Sequence, residues 1–128
     1  MVLLDRVAEM SPERCVALWT VPAASPWIEE GRLLRAAFVE IAAQTAAAHT
    51  GAGGGAPQAG HLGGVAEFRV HGDAQSGDVL RSTAARGPSF GTAARYECRI
   101  ERIAPGAATL LAEGSLSVAR TERDAAAG

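Results

Sequence analysis

The chain contains no lysine and no asparagine, only two cysteines, and few aromatic residues: three Phe, two Trp and one Tyr in 128 residues. Each scarcity excludes something. Cys15 and Cys98 are too few and too far apart for a disulfide framework or a zinc site, and each lies in a strand-like run, where a buried reduced thiol is expected. All 12 basic residues are Arg, set against 14 acidic ones for a net charge of −2, so there is no excess of basic residues for a nucleic-acid face. No apolar run approaches the ~18–20 residues of a membrane helix. Met1 to Arg6 lacks the layout of a signal peptide, so a cytoplasmic protein is expected. The length suits one domain of roughly 100–150 residues and excludes a two-domain enzyme with its own nucleotide fold. Arg, Ala and Gly dominate instead, a bias that fits GC-rich coding.

Apolar patterning sets out the elements. Val2–Leu4 is a short strand candidate. Cys15–Val21 is a longer one, apolar on both faces as a strand covered on both sides would be, and Ser11-Pro12-Glu13 between them reads as a turn. After the Pro22–Trp27 loop with its two prolines, a helix is predicted from about Glu29 to His49. Leu34, Phe38, Ile41, Thr45 and Ala48 recur at three- and four-residue spacing. Glu29 and Glu30 suit the positive end of its dipole, His49 its negative end, and Gly51 is a natural stop. Its alanines (Ala42, Ala43, Ala46, Ala47, Ala48) make it thin enough for a sheet to enclose closely.

Gly51–Gly60 is a flexible connection. It is no phosphate cradle, since it has neither a preceding strand nor a Lys-Ser/Thr ending. Four strand candidates follow: Leu62–His71, Val79–Ala85, Ala93–Ile103 and Ala108–Ala119. Ser76-Gly77-Asp78, Arg86–Ser89 and Ala104-Pro105-Gly106 separate them as turns. In the third, Tyr96, Cys98 and Ile100 alternate with Glu97, Arg99 and Glu101; in the fourth, Leu110, Ala112, Gly114, Leu116 and Val118 share a face. Two strands, one helix and four mostly antiparallel strands predict an α+β fold. With one helix to cover it, the sheet must curl around that helix, which is the hot-dog arrangement. The domain is expected over residues 1–120, with 121–128 a frayed tail. Open sheet edges of this kind commonly pair across a two-fold axis, so a dimer is expected.

Leu3-Leu4-Asp5-Arg6-Val7, Phe38-Val39-Glu40-Ile41-Ala42-Ala43-Gln44, Leu62–Arg69 and Ser76-Gly77-Asp78 resemble, in order, the "LLVDRV", "LIEAMAQ", "LAGVDKARFK" and "PGD" segments of the hot-dog 3-hydroxyacyl-acyl-carrier-protein dehydratases. That resemblance implies loss of water from a 3-hydroxyacyl thioester carried on phosphopantetheine, with no metal or redox cofactor. In that family a His takes the α-proton, a carboxylic acid protonates the leaving hydroxyl, and the two come from opposite protomers. Backbone N–H groups near the helix start polarise the thioester carbonyl.

Glu40 matches the acid, and burial between Phe38 and Ile41 would favour its protonated form. Gln44, one turn later, is placed to orient Glu40 or a water, or simply to pack at the core edge. The base is missing: Pro26 stands where the family has its His, and Leu34 and Arg35 replace the Pro-Gly before the helix. His49 lies about two and a half turns beyond Glu40. His61 opens the strand that lines the family's acyl tunnel near the dimer seam, on which Gly63 and Gly64 also lie; it is the candidate to substitute for the missing base, but surface or strand-end packing is expected of it and of His71. Trp19 most simply fills core, and Trp27, in the loop where the family's active-site residues lie, is a candidate wall of the tunnel. Arg35 and Arg69 are candidate contacts for an acyl carrier protein or its prosthetic phosphate, set against ordinary solvated arginines.

The expected protein is therefore one subunit of a heterodimeric dehydratase in polyketide, polyene or fatty-acid synthesis. This chain supplies the acid and a homologous hot-dog subunit the His; a homodimer is the less favoured assembly. A hot-dog acyl thioesterase and a non-catalytic structural partner are the competing readings. No nucleic-acid or membrane partner is expected.

Overall fold

The computed structural model describes residues 5–54, 60–90 and 93–120. The strand candidate Val2–Leu4 and the tail 121–128 fall outside them. The first described strand is β1 (Arg6–Met10), joined antiparallel to β2 (Arg14–Thr20). The turn forms as the sequence indicates: Ser11 Oγ accepts the N–H groups of Glu13 (3.3 Å) and Arg14 (3.2 Å). Asp5, from the opening motif, accepts the Thr20 N–H at 2.8 Å and so fastens the start of the chain to the end of β2.

A small hairpin, β3 (Ile28–Glu29) with β4 (Arg32–Leu33), occupies the start of the region predicted as helix. Glu30 and Gly31 both have positive φ, 51° and 76°, the geometry of a tight two-residue hairpin turn. The helix, α1, therefore begins at Arg35 rather than Glu29 and continues through Gly51 to Gly54. Glu29 and Glu30 thus do not serve the helix dipole. No acidic residue occupies the first turn, and a cation, Arg35, stands there instead.

β5 (Gly60–Val70), β6 (Val79–Phe90), β7 (Ala93–Ala104) and β8 (Ala107–Arg120) complete the fold. The turn expected at Arg86–Ser89 is instead a bulge inside β6. The register against β7 shifts between Arg86 and Ser89, where Pro88 needs no ladder N–H, and pairing resumes at Ser89. The main sheet has the order β1-β2-β6-β7-β8-β5 with every neighbour antiparallel, leaving β1 and β5 as its edges.

Five of its six strands, β2 and β5 to β8, pack on α1, so the sheet curls around the helix as predicted. Phe38, Ile41, Ala42, Thr45, Ala46 and His49 form the buried stripe of α1, facing Trp19, Leu80, Tyr96, Ile100, Leu116 and Val118. In β8 the buried residue near the strand start is Leu111, not Leu110. It is the additional residue of a bulge between the pairs Ile100/Ala112 and Glu101/Leu110. The alternation of β7 is as expected, with Tyr96, Cys98 and Ile100 inside. Burial pushes the thiols of Cys15 and Cys98 up to about 11 and about 12, where they stay protonated and inert.

Candidate active site

Glu40 lies in the second turn of α1. Phe38 (1% exposed) and Ile41 (0%) on either side are buried, but successive helix positions differ by about 100°, so Glu40 projects from the flank of the stripe and is half-buried. Gln44 Nε2 donates to Glu40 Oε1 at 3.1 Å, the expected contact one turn along. Among the described residues no other group is bonded to the carboxyl. Upstream, Trp27 is half-buried against the core. Its carbonyl accepts the Leu34 N–H at 2.8 Å, which anchors the loop to the helix start. The β3–β4 hairpin is tied in turn to the Ser76-Gly77-Asp78 turn, through Leu33 N–H to the Ala74 carbonyl (2.8 Å) and Ser76 N–H to the Gly31 carbonyl (3.0 Å). Pro26, in the position of the absent base, is exposed.

Neither of the two histidines whose side chains are described, His49 and His71, replaces it. His49 is not a solvated residue at the helix end. It is buried (6% exposed), with Nε2 2.8 Å from the Ser11 carbonyl and Nδ1 2.8 Å from the Tyr96 hydroxyl. A carbonyl only accepts, so the ring proton sits on Nε2, and in the neutral ring Nδ1 accepts from Tyr96. Thr50 Oγ1 lies 3.0 Å from the same hydroxyl. His71 is on the outer face of the sheet, 2.8 Å from Glu113. The backbone of His61 pairs with Ala119 in β5, and its side chain lies outside the described residues, as do those of its neighbours Leu62 and Gly63. Gly64 is exposed on β5 opposite Ser117.

Arg35 is exposed at the start of α1, on the same helix as Glu40. Arg69 is across the sheet from it, on the outer face in register with Glu113 and Arg99. The structure therefore unites Glu40 with Gln44, sets Arg35 at the head of their helix, and separates Arg69 from them.

Sequence reasoning missed two polar groupings: the His49–Tyr96–Thr50 cluster, and a buried Thr45–Ser82 hydroxyl pair 2.7 Å apart. The available signal was that Thr45 and His49 fall on the apolar stripe, where a polar side chain must find a partner. Among the described residues no helix is long and apolar enough to cross a membrane.

Known proteins of the same fold resemble this arrangement. The dehydratase heterocomplex ApeI:P from Xenorhabdus doucetiae superposes with a TM-score of 0.79 at 20% identity, covering 95% of this chain and 84% of that one. Zebra fish thioesterase superfamily member 2 gives 0.72 at 18% identity, covering 91% and 80%. A hypothetical thioesterase with coenzyme A from Streptococcus pneumoniae gives 0.74 at 12%, covering 91% and 87%. At these identities the likeness establishes the hot-dog fold. No curated protein matches the sequence. The model of the ApeP-like family, described as ApeP dehydratase, matches residues 1–127, and with almost the whole length included the chain belongs to that family.

Proposed function

We propose that this chain is one subunit of a heterodimeric 3-hydroxyacyl-acyl-carrier-protein dehydratase, with Glu40 as general acid and a homologous hot-dog subunit as the source of the His base. The α-carbon of the 3-hydroxyacyl thioester gives its proton to that imidazole. The electron pair forms the α,β double bond, and the β-hydroxyl leaves as water with the proton from Glu40. The product is a trans-2-enoyl thioester, and the imidazolium and carboxylate are reset by proton exchange. Gln44 holds one Glu40 oxygen, so the other is presented to the hydroxyl. Backbone N–H groups at the start of α1 face the thioester oxygen, where charge accumulates.

Arg35 stands where the helix dipole is already positive. A cation is unfavourable there unless an anion joins it, and the phosphate of a phosphopantetheine arm is the anion such a substrate brings. Arg69, on the outer face, is the more remote candidate contact for the carrier protein itself. Trp27, His61, Gly63 and Gly64 are assigned to the acyl and pantetheine path along the seam formed by β5. No metal or redox cofactor takes part in the proposed reaction. A polyketide, polyene or fatty-acid pathway and a cytoplasmic setting belong to the same reading.

The observation that carries this reading is a half-buried carboxyl on the central helix that, among the described residues, is bonded from its own helix and by no imidazole. The test is dehydration of a carrier-bound 3-hydroxyacyl chain by the co-expressed complex, with and without Glu40→Gln. A fall of about 10²–10⁴ in kcat is expected, the usual size of acid–base catalysis. Full activity of the variant complex would leave this chain a structural partner. A thioesterase is the second reading, because a lone helix carboxylate suffices to activate water. It predicts thiol release from acyl thioesters by the isolated chain, lost in Glu40→Gln.

A further inference from the structure

β5 forms one edge of the sheet, and its ladder is interrupted twice. The register against β8 shifts between Leu62 and Gly64, and again between Ala66 and Arg69. At the second shift Glu67 and Phe68 together face Gly114, and Glu67 has φ 53°. This is the left-handed position that glycine normally takes in a bulge of this kind. The fit depends on Gly114, where an added Cβ would lie 2.5 Å from Phe68 Cα.

Phe68 packs against the core, while Glu67 is exposed in the outer-face groove with Arg69, Arg99 and Glu113. The core does not require the extra residue. Without Glu67, Ala66 and Arg69 would still point outward and Phe68 and Val70 inward, in unbroken two-residue alternation. A strained residue kept on an edge where burial does not need it points to the edge's task.

We propose that the Glu67 bulge selects the partner: it spoils the β5 edge for a second copy of this chain and leaves it open to a homologous sheet-and-helix chain whose own edge strand is unbroken. Between the two shifts, regular pairing is available over Gly64–Ala66. A second copy placed by a two-fold axis brings the same short window and the same bends, so the new ladder is cut on both sides of the axis. A different strand meets each bend once and is not bound to repeat it. Val65, 44% exposed inside that window, is the apolar side chain such a partner covers. Only the homology of the partner rests on the proposed function; self-association is measured without substrate.

Native mass spectrometry and light scattering of the full chain, alone at micromolar concentration, test the proposal. The wild type is expected at the mass of one chain, 13.1 kDa, and as a one-to-one species when co-expressed with a homologous dehydratase subunit. Deletion of Glu67 is expected to give the two-chain mass. Glu67→Gly, which removes the carboxylate but keeps the bulge, is expected to remain a single chain. Should the deletion fail to fold, the wild-type mass alone still decides, because the proposal requires a single chain at micromolar concentration. A wild-type homodimer would overturn the proposal. So would a folded deletion variant that stays single, or a Glu67→Gly variant that dimerises as the deletion does. Loss of the Glu40 reading alone would leave these masses unchanged.

Discussion

The two ends of α1 treat their ionisable groups in opposite ways. Towards its C-terminal end, His49 has both ring nitrogens engaged, one with the Ser11 carbonyl and one with Tyr96, whose ring meets it edge-on at 5.5 Å. These contacts join helix, β7 and the β1–β2 turn. Towards the N-terminal end, Glu40 is half-buried and held by Gln44 from its own helix. Among the described residues both nitrogens of the first group are bonded, and one oxygen of the second. A histidine on the central helix of a dehydratase-like protein invites a catalytic role, yet its partners make it a structural pin, and the carboxyl with fewer ties among the described residues is the group proposed to move a proton.

Substitutions at the two ends sharpen that contrast. Glu40→Gln should lower dehydration by the complex about 10²–10⁴-fold while leaving stability within about 1 kcal/mol, because the amide keeps the shape of a half-buried side chain. Rate assays paired with denaturant titration check both halves. His49→Ala should do the reverse, costing about 2–4 kcal/mol by leaving the Ser11 carbonyl without its donor and the Tyr96 hydroxyl with Thr50 alone, beside a cavity. Any loss of activity should then follow the folded fraction. Tyr96→Phe removes one hydroxyl from the same cluster and should cost about 1–2 kcal/mol in the same titration. Gln44→Ala should lower kcat about fivefold with KM little changed, the effect of one positioning hydrogen bond worth about 1 kcal/mol.

The smallest effect at neutral pH belongs to the closed end of the helix, where burial raises Tyr96, Cys15 and Cys98 above their ordinary values. The unfolded thiols ionise near 9, whereas the folded ones hold their protons to about 11 and about 12. The folded state therefore binds more protons in that window. Stability is fully present below about pH 9 and is lost as pH rises from there towards 11 and 12. Melting followed from pH 8 to 11 should show a flat stretch and then a decline, blunted in a Cys98→Ala chain once its own lower starting stability is subtracted.

Much of the fold was legible because it rests on patterns of fixed period. The alternation in β7, the turns at Ser76–Asp78 and Ala104–Gly106, and the stripe of Phe38, Ile41 and Thr45 each follow from local spacing and from glycine or proline at a bend. The misplacements share one cause. Glu29 to Leu34 looks helical in composition, but Glu30 and Gly31 turn the chain into a hairpin that is held from outside, by Ala74 and the Ser76 turn. Pro88 looks like a break, but the long ladder that precedes it carries β6 through as a bulge to two further pairs, Ser89 with Ala94 and Phe90 with Ala93. Glu40 and Gln44 were found by a motif and brought together by helical pitch. The bulge at Glu67 had no signal in its own segment, since it depends on Gly114 in the neighbouring strand.

By itself the sequence determined the single helix, most of the strands and the acidic position on that helix, because each depends on residues a few places apart. Tertiary structure alone decided which polar side chains the fold uses up, where the strands slip register, and which edge of the sheet is left bent and open. Those outcomes depend on pairs such as Tyr96 with His49 and Phe68 with Gly114, distant along the chain and fixed only when the sheet closes on the helix.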